Sequence, residues 1–158
     1  MPQLRSEIRG PRRALDVAMG RGRHLPALAS AGCNLFGVDI SLEAVRTARE
    51  RGLPVRGWVA DLTSFPLPER RFELVVVTRY LQRDLFPALE RSLTDGGFLL
   101  YETFLTEQRR HGRGPTSPDH LLQSNELRER MRGLEVIFYE EVIDPEAVAR
   151  VVARRISG

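Results

Sequence analysis

Apolar positions along the chain gather into seven short runs with more polar stretches between them. Residues 14–18 (ALDVA) read as a buried strand. Residues 24–31 (HLPALASA) then carry apolar side chains at helical spacing, and Gly32 is a natural stop. Residues 34–40 (NLFGVDI) predict a second strand. Ser41 stands as an N-cap before the helix EAVRTARERG, which ends at Gly52. A third, shorter strand covers 55–60 (VRGWVA), and 64–71 (SFPLPERR) is a proline-rich loop. FELVVVT at 72–78 holds an unbroken apolar run, the pattern of a central strand buried on both faces. A helix is predicted at 82–93, a turn at Thr94-Asp95-Gly96-Gly97 and a strand at 98–104 (FLLYETF). Residues 105–120 are polar, with two glycines and two prolines, and predict a long loop. A helix follows at 121–132, then strands at 134–143 and 147–156 around Asp144-Pro145.

Strand–helix alternation predicts an open, mostly parallel α/β sheet. A parallel pair needs a crossover of about a dozen residues, so the last two strands must run antiparallel. The 158 residues suit one domain, with residues 1–13 as an N-terminal extension. No apolar run reaches the roughly 20 residues that a membrane crossing needs, and MPQLRSEIRGPRR lacks the apolar centre of a secretory signal. The expected location is therefore the cytoplasm, with no membrane partner.

Composition changes this picture little. Hydrophobic residues make up 42%, an ordinary globular share. All 24 basic residues are arginine, yet 21 acidic residues are mixed among them and the net charge is only +3. That reads as compositional habit rather than a surface for a polyanion. The single cysteine, Cys33, excludes an internal disulfide and reads as a packing thiol. No metal-ligand spacing is present, so no metal is predicted. His24, His111 and His120 read first as surface or capping residues.

The chemistry concentrates where three strands end. LDVAMGRGRH (15–24) runs a strand into a glycine loop, and Asp16, Asp39 and Asp61 each close one of the first three strands. In an open α/β sheet these carboxyl ends line one crevice. A dinucleotide fingerprint would need a third glycine where Leu25 stands, and Asp16 would repel a pyrophosphate. A nucleoside cofactor with a positive centre and no phosphate suits three acids better.

DVAMGRG resembles the first motif of class I S-adenosylmethionine-dependent methyltransferases, usually D/E-x-G-x-G-x-G. GVDIS with Asp39, ADL with Asp61 and TDGGFLLYE follow in that family's order. Among its members, the small single-domain tellurite-resistance and thiopurine types look most similar, through LDVAMGRGRH and YETFLTEQ…GRGP. The resemblance implies a Rossmann-like, doubly wound, mostly parallel seven-stranded sheet with a C-terminal antiparallel hairpin. It also implies S-adenosylmethionine as cofactor. Gly20 and Gly22 would admit the methionine part, and Asp16 would order the loop and the ammonium. Asp39 would take the ribose hydroxyls with Ile40 against the adenine. Asp61 would accept from the adenine amine, with the Leu62 N–H beside it, and Thr78 and Arg79 would stand near the sulfonium. Ala18 departs from the motif's glycine. It must either take a negative φ or push the cofactor slightly away.

Methyl transfer from a sulfonium needs alignment and exclusion of water, and a base only when the acceptor arrives protonated. Tyr80, Glu102 and His111 are the candidate bases. Arg83, Thr103, Arg110 and Arg113 are the candidate acceptor contacts, and 104–120 is the candidate lid. Few aromatics and no appended nucleic-acid module favour a small-molecule acceptor over RNA or protein, and Arg109, Arg110, His111 and Arg113 suggest an anionic acceptor or a basic lid. The short N-terminal extension leaves a second subunit as one way to cover the cofactor. A cofactor-holding partner protein without turnover is the other reading that the sequence leaves open.

Overall fold

The computed structural model describes residues 12–158, so most of the N-terminal extension lies outside the described residues. The elements are β1 (Arg13–Val17), α1 (Leu25–Ser30), β2 (Asn34–Asp39), α2 (Leu42–Glu50), β3 (Val55–Val59), β4 (Phe72–Thr78), α3 (Phe86–Ser92), β5 (Leu93–Phe104), α4 (Glu126–Glu129), β6 (Leu134–Val142) and β7 (Val148–Arg155). The sheet order is β3-β2-β1-β4-β5-β7-β6. The first five strands pair in parallel, and β7 runs antiparallel to both β5 and β6. This is the predicted Rossmann-like sheet with its terminal antiparallel hairpin. No described helix is long and apolar enough to cross a membrane.

Period-two alternation divides the core between the two faces of the sheet. Ala14, Leu35 and Val76 pack with Leu25 and Leu28 of α1 and Val45 and Ala48 of α2. Leu15, Val75, Val77, Leu99 and Tyr101 point the other way, onto Leu85, Phe86 and Leu89 and onto Leu127 and Met131. Asp16 shares its parity with Ala14 and therefore enters the α1–α2 layer. The Ser41 cap forms as expected, accepting from the Ala44 N–H at 3.1 Å.

Three expectations are corrected. The turn at 94–97 lies inside β5: the strand begins at Leu93, and the pairing with β4 shifts between Phe72 and Leu74 while Gly96 takes φ +76°. A bulge absorbs the extra residues there without ending the strand. The helix at 121–132 shrinks to Glu126–Glu129. Leu121 and Leu122 are both fully buried but in different clusters, which extended backbone allows by pointing neighbours to opposite sides. Leu122 bridges to Leu105.

The 105–120 segment is not a structureless loop. It holds 3-10 turns at Thr106–His111 and Pro118–His120. Gln108, 1% exposed, pins it: its Oε1 accepts from the Ala147 N–H at 2.7 Å, and its Nε2 donates to the Arg113 carbonyl at 3.1 Å.

Candidate cofactor and acceptor site

The glycine loop is shaped by its backbone. Ala18, Gly20 and Gly22 all take left-handed φ, at +53°, +55° and +76°. Of the two alternatives for Ala18, the negative φ is excluded: the chain keeps a glycine conformation and carries a methyl group in it. The two glycines have different tasks. A Cβ on Gly20 would meet nothing within 4 Å, so its backbone faces open space. A Cβ on Gly22 would stand 2.6 Å from Leu25 Cδ1, so the packing of α1 requires a glycine there. The Met19 N–H donates to the Val38 carbonyl at 3.1 Å, which ties the loop to β2.

Asp39 completes that tie. Its Oδ2 accepts from the Gly20 N–H and its Oδ1 from the Ser41 N–H, both at 2.9 Å. Each oxygen keeps a further lone pair for a hydrogen-bond donor. Ile40 is 69% exposed beside it, a free apolar platform. Asp61 Oδ1 takes both the N–H and the hydroxyl of Thr63, at 2.9 and 2.6 Å, which holds the carboxyl below its usual range. Oδ2 is left for an amine. The Leu62 carbonyl accepts from Gln82 Nε2 at 3.2 Å.

Asp16 is the anomaly. It is 1% exposed, and its Oδ2 has no hydrogen-bond partner. Burial first, and then the nearby Asp39 charge, push its pKa up to about 7 against the pull of Arg23. A buried carboxylate with an empty oxygen beside an open glycine backbone fits a ligand that brings a cation. It does not fit a pyrophosphate.

At the end of β4, Thr78 and Arg79 part company. Thr78 Oγ1 lies 2.8 Å from His24 Nε2 and accepts from Arg23 Nη2 at 3.0 Å. Arg79 turns away from the crevice. Its guanidinium pairs with Glu146 at 3.1 Å and lies 5.4 Å over the Phe104 ring. The sequence sets Arg79 near the sulfonium; in the structure its guanidinium is engaged by Glu146 and Phe104.

The candidate bases are mostly committed elsewhere. The Tyr80 hydroxyl donates to Gln82 Oε1 at 2.5 Å. Burial and the charges of Asp61, Asp84 and Asp39 raise its pKa, which keeps the phenol protonated. Glu102 is ion-paired with Arg150, whose other arm holds Glu140 at 2.8 Å. His111 Nε2 donates to the Ile143 carbonyl at 2.7 Å, on the turn between β6 and β7.

The acceptor arginines fare similarly. Arg83 grips Glu126 at 2.7 and 3.0 Å and donates to the carbonyls of Pro118, Asp119 and Leu121. Arg113 donates to the Pro145 carbonyl at 2.9 Å. Thr103 is 2% exposed. Only Arg110, of the three arginines, keeps an exposed guanidinium with no hydrogen bond among the described residues. Sequence reasoning missed the Arg23–His24–Thr78 cluster. Its signal was position: Arg23 and His24 follow the glycine loop directly and cap the helix beside β4.

A family model described as a methyltransferase domain matches residues 14–97. Among solved structures, the chain resembles an S-adenosylmethionine-dependent methyltransferase from Mesorhizobium loti, at 20% identity and TM-score 0.78 over 98% of this chain and 96% of that one. TehB from Haemophilus influenzae aligns at 17% identity and TM-score 0.76, over 97% of this chain and 59% of its own. The [4+2]-cyclase SpnF aligns at 19% identity and TM-score 0.77, over 98% and 78%. At these identities the structures show a shared fold, and SpnF shows that the fold also hosts other chemistry. No curated protein matches the chain in sequence.

Proposed function

The chain belongs to the methyltransferase-domain family, and on that premise we propose that it is an enzyme moving the methyl group of S-adenosylmethionine to a small, anionic acceptor. The observation that carries this reading is Asp16: a buried carboxyl oxygen with no partner, beside an open glycine backbone. The cofactor brings an ammonium and a sulfonium, and its activated methyl group supplies the chemistry. Asp39 and Asp61 would hold the ribose and adenine with the lone pairs they still have, and Ile40 would support the base. Thr78 would face the incoming acceptor.

The preference for an anionic acceptor now rests on Arg110, since Arg83 and Arg113 are spent within the fold and Arg23 donates to His24 and Thr78. The 104–120 segment is pinned to the β6–β7 turn, which leaves the cover of the cofactor to another part. A second copy of this chain is our reading of that cover. Sedimentation with and without S-adenosylhomocysteine tests it, and a monomer in both states would refute it.

Calorimetry with S-adenosylhomocysteine and with NAD tests the cofactor. Binding of the first alone is expected, and binding of NAD alone would sink the reading. Asp39→Ala should weaken S-adenosylhomocysteine by more than about 1 kcal/mol. Labelled-methyl transfer across thiol, hydroxyl and carboxylate acceptors then separates an enzyme from a protein that only holds the cofactor.

A further inference from the structure

Across the α1 side of the sheet, at its carboxyl end, the register sets Thr78 of β4 against Glu102 of β5 and Glu102 against Arg150 of β7. His24 reaches this row from the cap of α1. Its Nε2 receives the Arg23 Nε–H at 3.2 Å, so the ring nitrogen acts as an acceptor. The Thr78 hydroxyl, 2.8 Å away, must then be the donor to the same nitrogen. Arg23 Nη2 closes the triangle by donating to Thr78 Oγ1 at 3.0 Å. A donor on each side fixes the neutral tautomer with its hydrogen on Nδ1. This triangle has an unprotonated nitrogen behind a hydroxyl that is partly exposed at the crevice.

We propose that Thr78 and His24 form a proton relay for the methyl acceptor, with Thr78 touching the acceptor and His24 acting through it. The proposal rests on the methyltransferase reading above. As the acceptor heteroatom bonds to the methyl carbon, the carbon–sulfur electron pair stays on sulfur. The acceptor's own proton passes to Thr78 Oγ1, and the Thr78 proton passes to His24 Nε2. The imidazolium then releases it to solvent. No further reactant is required.

The surrounding charges tune this step. Burial and Arg23 hold the His24 pKa below its ordinary value, while Glu102 opposes them. Glu102 is itself paired to Arg150, and Asp16 faces the same arginine, Arg23. The imidazole is therefore neutral at pH 7 and ready to accept. The one proton of this neutral imidazole lies on Nδ1, so Nε2 cannot donate to a cofactor carboxylate.

Histidine 15N NMR on the S-adenosylhomocysteine complex tests the relay without any acceptor. The expected result at pH 7 is a bare Nε2 on His24, titrating below 6.5. A protonated Nε2 there would overturn the proposal. Kinetics then use 2-mercaptoethanol, which arrives protonated, and 4-nitrothiophenol, which arrives ionised. His24→Gln and Thr78→Val should lower kcat for 2-mercaptoethanol about a hundredfold and abolish its rise with pH. The ionised thiol should slow by no more than about threefold, and Thr78→Ser should restore the relay. Equal losses on both thiols, or a tenfold loss of S-adenosylhomocysteine affinity with kcat intact, would refute it. If neither thiol reacts while S-adenosylhomocysteine still binds, thiols are excluded as the acceptor class, and the NMR result still decides the relay.

Discussion

On the β1–β3 side of the sheet's carboxyl rim, polar groups retain unused capacity. Asp16 Oδ2 has no partner, Asp61 Oδ2 is open, and both Asp39 oxygens accept one bond each. On the β5–β7 side the opposite holds. Arg83, Arg79, Arg113, Arg150, Gln108 and His111 all spend their hydrogen bonds inside the fold. The first side keeps the hydrogen-bonding capacity that the proposed cofactor would use. The second stitches a long chain segment and a strand turn to the sheet. A polar residue in a loop after a strand is thus no sign of binding until its donors have been accounted for.

The contrast is broken most directly at Asp16. In the folded chain its carboxyl keeps a proton up to about pH 7, whereas the unfolded chain gives it up near pH 4. Between those values the folded state binds more protons, so this group's contribution to stability is full below about pH 4 and is lost as pH rises through 7. Asp16→Asn should therefore stabilise the cofactor-free chain at pH 8 relative to pH 4, by on the order of 4 kcal/mol. Urea unfolding at the two pH values measures it, and a pH-independent difference would show that Asp16 ionises normally. The affinity of the wild-type chain for S-adenosylhomocysteine should rise with pH up to about 7 as the carboxylate becomes available to the ammonium.

A smaller effect probes the stitched side. Arg83→Met should cost about 2 kcal/mol of stability through its lost charged hydrogen bonds. It should leave S-adenosylhomocysteine affinity within twofold. A variant with unchanged stability and a raised KM for the acceptor would return Arg83 to the substrate.

The smallest effect sharpens the receiving side. Ala18 carries a methyl group at φ +53°, a conformation that costs an L-residue about 1–2 kcal/mol. Part of that returns through the greater freedom of an unfolded glycine. Ala18→Gly should gain under about 1 kcal/mol, seen as a small rise in Tm. A lower Tm would mean that the methyl group packs usefully.

Legibility in the sequence follows the same division. Strand periodicity located the sheet, and the order of Asp16, Asp39 and Asp61 put these acids at or just after the ends of its first three strands, because backbone parity and strand ends decide where such short side chains lie. β4 was bounded correctly because its apolar run allows no other state. The 121–132 segment misled because LLQSNELRERMR has helical composition, while Leu121 and Leu122 feed separate clusters. Arginine destinations were illegible for a different reason. A guanidinium reaches several ångströms and meets partners 43 and 67 positions away, at Glu126 and Glu146. No local pattern records that.

β7 lies between β5 and β6, and β6 has no other neighbour in the sheet. During synthesis, β6 therefore emerges before any strand exists for it to pair with. The crevice at β1–β4 can assemble while the chain is still being made, but the Glu102–Arg150–Glu140 row cannot. Both Ile137 and Phe138 of β6 stay largely uncovered even in the finished fold. The interval before β7 arrives is thus the period in which a nascent chain would most need a chaperone's protection.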